Sequence, residues 1–118
     1  MTEETLQRLW NSYQDAWADI SVDERERLLR ASVAEEVVFT SPSANGRGFG
    51  ELVTHIGDFQ RQFPGAYFRG NKLIEQNGQL LSEWTMFNRD GSEFLTGHSY
   101  AQISDAGLLT HLAGFWKL

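Results

Sequence analysis

The chain has 118 residues and a mass of 13.4 kDa, 41% of them hydrophobic and 22% charged, which suits one domain spanning residues 1–118 and excludes wholesale disorder. Sixteen acidic residues against ten basic ones give a net charge of −6, which argues against nucleic acid as a partner, because phosphate binding needs a concentrated basic surface. There is no cysteine, so thiol catalysis, disulfides and cysteine-based metal sites are excluded. No apolar run of ~18 residues offers a membrane span. The acidic start Met1-Thr2-Glu3-Glu4 shows no signal-peptide core, and the expectation is a cytoplasmic protein.

Nine acidic and four basic residues fall within 1–36, so the front of the chain carries most of the net charge. Its periodicity is helical. Leu6, Leu9, Trp10, Tyr13, Trp17 and Ile20 recur at spacings of three and four, which predicts a helix over 3–19. A second helix starts near Ser21, where Ser21 and Glu24 fit a capping box and Leu28, Leu29 and Val33 form an apolar stripe. Glu36-Val37-Val38-Phe39-Thr40 reads as a strand ended by Ser41-Pro42, and Asn45-Gly46 with Gly48 as a loop. A third helix runs from about Phe49 to Phe63, with Leu52, Ile56, Phe59 and Phe63 on one stripe, until Pro64-Gly65 stops it. Four strands follow, at 66–76, 79–88, 93–104 and 108–116. The breaks Asn77-Gly78, Arg89-Asp90-Gly91 and Asp105-Ala106-Gly107 are tight-turn sequences that make antiparallel hairpins. The order is α-α-β-α-β-β-β-β.

Neither face of the later strands is cleanly polar. Leu95, Gly97, Ser99, Ala101 and Ile103 alternate with Phe94, Thr96, His98, Tyr100 and Gln102. A half-solvated sheet alternates more sharply. Helices covering one face and a second copy of the chain covering the other would explain this. A homodimer through the face that holds Phe94, His98 and Tyr100 is the resulting expectation.

Few residues offer chemistry. His55, His98 and His111 match no metal-ligand spacing, and no metal or cofactor is expected. His55 lies one turn before Phe59; it either projects inward as an acid/base or sits at the helix edge with its ring on the sheet rim. His98 belongs with the dimer face. His111 shares strand parity with Leu109, Ala113 and Phe115, unless a bulge shifts it outward. Asp15 and Asp58 fall off the apolar stripes and read as solvated. Tyr13 and Trp17 can face one space, either as core or as a pocket wall in which the phenol serves a ligand oxygen. There is no phosphate loop, dinucleotide fingerprint or nucleophile elbow. Gly46-Arg47-Gly48-Phe49-Gly50 lets the chain turn into the third helix, with Arg47 either at the pocket mouth or on the plain surface.

Several segments in this order resemble the SnoaL-like, polyketide-cyclase-like branch of the nuclear transport factor 2-like superfamily. They are Gly46-Arg47-Gly48, Phe63-Pro64-Gly65, Trp84 followed by Asp90-Gly91, the run Leu95-Thr96-Gly97 to Ser99, Ala106-Gly107, and the closing Gly114-Phe115-Trp116. The resemblance covers nearly the whole chain. It implies an α+β fold, a cone-shaped curved antiparallel sheet wrapped around three helices, and a pocket inside the cone. It also implies positions for acid/base groups: Tyr13 matches the helix-one tyrosine of ketosteroid-isomerase-like members, while the first-strand aspartate falls on Ser41 and the later acid on Ser99. A serine hydroxyl cannot act unaided as a general base near pH 7, so neither is expected to be one.

Two functions follow from this. The first is a pocket protein that binds an apolar ligand of polyketide or steroid type, with Tyr13, Trp17, Phe39, Ser41, Phe59, Trp84, Ser99 and Phe115 at the ligand. The second is a cofactor-independent isomerase, cyclase or dehydratase in which Tyr13 and His55 are catalytic.

Overall fold

The computed structural model describes residues 1–117. Helix α1 spans Glu3–Asp15, and Thr2 caps it by accepting the Thr5 N–H at 3.1 Å. Leu6, Leu9, Trp10 and Tyr13 form its buried stripe. Helix α2, Val22–Arg30, is capped by Ser21, whose hydroxyl accepts the Glu24 N–H at 3.1 Å. Strand β1 is Val33–Thr40, strand β2 is Asn45–Arg47, and helix α3 is Phe49–Gln62. The meander follows as β3, Tyr67–Gln76, β4, Gln79–Phe87, β5, Glu93–Ile103, and β6, Leu109–Phe115.

The six strands form one sheet in the order β2-β1-β6-β5-β4-β3. Four neighbouring pairs are antiparallel, and β1 with β6 is parallel. The sheet is therefore mixed rather than wholly antiparallel. Its last strand returns beside the first only after the chain has crossed by α3 to the far edge. The helices lie against one face of the curved sheet, and the first and third supply most of its apolar cover.

Three boundaries differ from the sequence pattern. The segment 45–47 is not a loop but a short strand paired with β1, Val38 opposite Arg47 and Thr40 opposite Asn45. Val33 leaves the α2 stripe to begin β1 opposite Leu109. Helix α1 ends at Asp15 rather than near residue 19. The carbonyls of residues 16, 18 and 20 turn to Arg25 instead. Arg25, only 4% exposed, donates from its guanidinium to the Ala16, Ala18 and Ile20 oxygens at 2.9, 3.1 and 3.4 Å. A buried charge is tolerable here because its donors are met by carbonyl dipoles.

Buried side chains form two clusters. One gathers Leu6, Leu9, Trp10 and Tyr13 of α1 with Leu52 and Ile56 of α3 and Val37, Phe39, Leu80, Ala101, Leu109 and Leu112 of the sheet. The other holds Ala66, Trp84 and Met86, flanked by Phe59, Phe63, Phe68, Leu95 and Trp116. At their junction Gly97 permits a close approach: a Cβ there would lie 2.5 Å from the Trp84 ring and 2.9 Å from the Phe115 carbonyl oxygen. Replacing Gly97 with Ala should therefore cost about 1–3 kcal/mol through overpacking, read as a lower urea midpoint. Gly50→Ala, in α3 with no atom within 4 Å of the new methyl, should hold the midpoint or raise it slightly.

Candidate functional site

Trp17 sits in the turn after α1, yet its ring is the centre of an aromatic group. Its centroid is 6.3 Å from Tyr13, 5.6 Å from His55, 5.3 Å from Phe59 and 5.9 Å from Phe68, each edge to face. Gln60 of α3 fixes the backbone beneath it, donating to the Trp17 oxygen at 2.7 Å and to the Ala66 oxygen at 2.8 Å. The same amide accepts the Gly65 N–H at 3.2 Å. One side chain thus ties the α1–α2 turn to the end of α3.

Between these helices and the sheet lies a cavity of about 440 Å³ that draws its walls from both buried clusters. Tyr13, Trp17, Phe39, Ser41, His55, Phe59, Trp84 and Ser99 all line it. Most of the wall is aromatic. The polar groups are few and individually placed, the composition usual for a small-molecule site.

Phe115 does not join them. Its side chain is 61% exposed on the outer face. The reason is a bulge at the start of β6. Ile103 pairs with Leu109, but the next pair is Gln102 with His111, so Thr110 is an extra residue and the later parity reverses. His111 and Phe115 turn outward, while Leu112, Gly114 and Trp116 reach the cavity. A second bulge corrects Phe94. Met86 pairs with Leu95 and Phe87 with Glu93, which leaves Phe94 unpaired. It swings to the cavity rim against Phe63, 5.5 Å between ring centroids, and does not belong to the outer face. His98 and Tyr100 keep their outward parity; His98 lies 3.4 Å from Glu83.

Tyr13 is buried, and burial drives its pKa far above the ordinary phenol value, with a weaker opposing hydrogen-bond effect from Trp17. The phenol therefore stays protonated at any physiological pH and acts as a donor. His55 stacks on Phe39, 5.3 Å between centroids with a 22° tilt. Burial lowers its pKa below the ordinary 6.5, and the Asp58 carboxylate partly opposes this. At neutral pH its ring is an uncharged acceptor or base. Asp58 lines the cavity at the exposed edge of α3 and pairs with Arg61. Its place in the wall went unread because it falls off the apolar stripe.

The two serines do different work. Ser99 accepts the Trp84 indole N–H at 2.9 Å, so it orients a wall residue. Ser41 shapes the β1–β2 turn: its N–H donates to the Ala44 oxygen at 2.8 Å and its hydroxyl accepts the Ser43 N–H at 3.3 Å. The sequence reading also missed Trp10 and Gln14 of α1 as lining residues. Their spacing of four is the signal that was present, one turn on the face that carries Tyr13. Among the described residues no group of three or more His, Asp or Glu side chains could hold a metal ion. No helix among them is long and apolar enough to cross a membrane.

No family model matches the sequence, and no curated protein matches it. Solved structures do. A candidate isomerase of the SnoaL-like family from Agrobacterium tumefaciens superposes with a TM-score of 0.90 at 19% identity, covering 98% of this chain and 99% of that one. A protein titled as a candidate polyketide cyclase from Sinorhizobium meliloti gives 0.74 at 16% identity over 93% of this chain and 97% of that one. One titled as a candidate ketosteroid isomerase from Kribbella flavida gives 0.71 at 20% identity over 98% and 79%. The chain has the fold of these SnoaL-like proteins and of a nuclear transport factor 2-like protein from Exiguobacterium, which superposes with a TM-score of 0.73 at 15% identity over 90% of this chain and 95% of that one.

Two outcomes follow from this geometry. Ser99→Ala strands the indole N–H of the buried Trp84 and should lower unfolding stability by roughly 1–3 kcal/mol in urea titrations. The second concerns pH. The folded His55 pKa lies below 6.5, so on acidification the unfolded chain takes up a proton before the folded one does. Stability is complete above the unfolded value and is lost as pH falls from there toward the folded pKa. His55→Gln removes this loss, so the stability difference between the parent and the variant should narrow from pH 7.5 to pH 5. A constant difference would mean that His55 titrates as in the unfolded chain.

Proposed function

We propose that the chain binds an apolar ligand of polyketide or steroid type in the cavity between α1, α3 and the sheet, with Tyr13 donating a hydrogen bond to a ligand oxygen. The observation that carries this is a cavity of about 440 Å³ with aromatic walls and a buried, always-protonated phenol. The candidate isomerase and cyclase titles of similarly folded proteins support a small-molecule role. They do not choose the reaction, since one fold hosts many chemistries. The absence of carboxylates at Ser41 and Ser99 favours binding over inherited acid/base catalysis. Titration with 2-acetylnaphthalene should change tryptophan fluorescence, because Trp17 and Trp84 are both wall residues. Tyr13→Phe should weaken that binding by about 0.5–1.5 kcal/mol, the net worth of one neutral hydrogen bond, with the fold intact. Undiminished affinity in the variant would remove Tyr13 from the site.

A second reading rests on His55, an uncharged imidazole in the same wall as Tyr13. In a cofactor-independent isomerisation it would take a proton from the carbon beside a ligand carbonyl while Tyr13 donates to the developing enolate oxygen. The protonated ring would then return that proton at the new position. Deuterium exchange at that carbon, lost in His55→Gln, would establish it.

We also infer a homodimer through the outer sheet face. Ile74, Leu81 and Tyr100 stand side by side there on β3, β4 and β5, with Ile74 and Leu81 each 46% exposed and Phe115 nearby on β6. An apolar outer face of this kind is unusual on a monomer. Light scattering at micromolar concentration should show twice the mass of the chain; a 13.4 kDa species would end the idea.

A further inference from the structure

A second groove, of about 490 Å³, lies between the α1–α2 turn, α3 and the β4–β5 turn, and no residue lines both it and the aromatic cavity. Three of the chain's ten basic residues line it: Arg25, Arg61 and Arg89. A guanidinium carries five N–H donors. Arg25 donates three of them, from Nε and Nη2, to the Ala16, Ala18 and Ile20 oxygens. The two N–H groups of Nη1 meet no acceptor among the described residues, yet Nη1 is not sealed from solvent. The residue is otherwise buried and lines this groove, so Nη1 opens into it. Glycines place the other two guanidiniums. Arg61 lies back along α3, with Nη1 and Nη2 3.7 and 3.9 Å from where a Cβ of Gly57 would stand. Arg89 crosses Gly65, with Nε 2.6 Å from the position of a Cβ there. Both glycines line the groove, which sets both guanidiniums at its surface. The charges also act on one another. Burial lowers the Arg25 pKa, Asp19 opposes this, and the Arg61 charge adds to it. Asp19 in turn faces Arg89, Oδ2 to Nη2 3.7 Å.

Asp19 is the one acid in this lining, so three positive charges stand against one negative, in a chain whose own net charge is −6. The ion pairs of Arg61 with Asp58 and of Arg89 with Asp19 are exposed on both sides, where such pairs are weak and yield to a stronger acceptor. We propose that this groove binds a phosphate dianion, free or as the monoester of a small molecule. Its double charge matches the net charge of the lining. Its oxygens supply an acceptor for each arginine, the unpartnered Nη1 of Arg25 among them. A carboxylate brings one charge and two oxygens, enough for one guanidinium fork. The site is separate from the aromatic cavity and does not rest on reading that cavity as a ligand site.

Titrations of ¹⁵N-labelled protein at constant ionic strength and about pH 8, where the phosphates are dianions, read the site through the backbone amides of Gly57 and Gly65. Inorganic phosphate and glycerol 1-phosphate should shift both amides saturably, and acetate should not saturate over the same range. Tighter binding of glycerol 1-phosphate supports a monoester as the ligand, and equal affinities support free phosphate. Arg61→Gln and Arg89→Gln change exposed side chains and should each weaken phosphate binding roughly tenfold, the loss of one charge-assisted hydrogen bond. Arg27→Gln, on the helix of Arg25 but outside the groove, should leave the affinity unchanged. Arg25→Met should abolish binding; if that variant fails to fold, the other three decide. Shifts that never saturate, or an equal loss in Arg27→Gln, overturn the site as general surface charge. Full affinity in both Arg61→Gln and Arg89→Gln overturns it too, and acetate binding as tightly as phosphate overturns the dianion.

Discussion

The position of one indole, Trp17, organises the inside of this molecule, and it is set by polar contacts to backbone. Residues 16–20 leave the helix, so their carbonyls need new partners. Arg25 takes three of them and Gln60 takes that of Trp17. Both side chains come from later elements, so the turn is defined only once α2 and α3 have docked. The ring then meets Tyr13 on α1, His55 and Phe59 on α3, and Phe68 on β3. Without those ties the turn would lose its buried partners, and the wall shared by helices and sheet would lose its centre.

The space beside Trp17 stays open for a related reason. Edge-to-face ring contacts hold large side chains apart at centroid distances of 5–6 Å without interdigitation, as small aliphatic residues would provide. The sheet contributes rings at the opposite wall, with Phe68 against Trp84 at 5.2 Å and Trp84 against Trp116 at 6.1 Å. Polar groups are inserted sparingly into this frame. Ser99 consumes the Trp84 N–H, so that indole presents a purely apolar face. The phenol of Tyr13 and the neutral ring of His55 are among the polar groups left in this wall. The serines at 41 and 99 bring hydroxyls to the wall, in a fold shared with proteins described as candidate isomerases and a candidate polyketide cyclase.

The outer face follows different physics. Lys72, Glu83 and His98 lie on adjacent strands and form a polar row next to the apolar row of Ile74, Leu81 and Tyr100. The bulge in β6 adds Phe115 to that face and gives Trp116 to the cavity.

Local chemistry in the sequence determined a large share of the structure. The stripe of α1, the Ser21 cap, the stop at Pro64-Gly65 and the turn at Asn77-Gly78, where φ is 49° and 74°, each follow from residues within a few positions of one another. The inward set Gly97, Ser99 and Ala101 follows from strict alternation, and with it the placement of Ser99 at the wall. Tertiary structure alone decided the rest. Alternation reads facing correctly only until a bulge, and neither the bulge at Phe94 nor that at Thr110 carries a glycine or proline to mark it. The parallel pairing of β1 with β6 joins strands from opposite ends of the chain. Arg25 and Gln60 look like ordinary surface polar residues until their carbonyl partners are brought to them. Trp10 and Gln14 likewise read as a core residue and a surface residue, and only the curved sheet opposite them makes both part of a cavity wall.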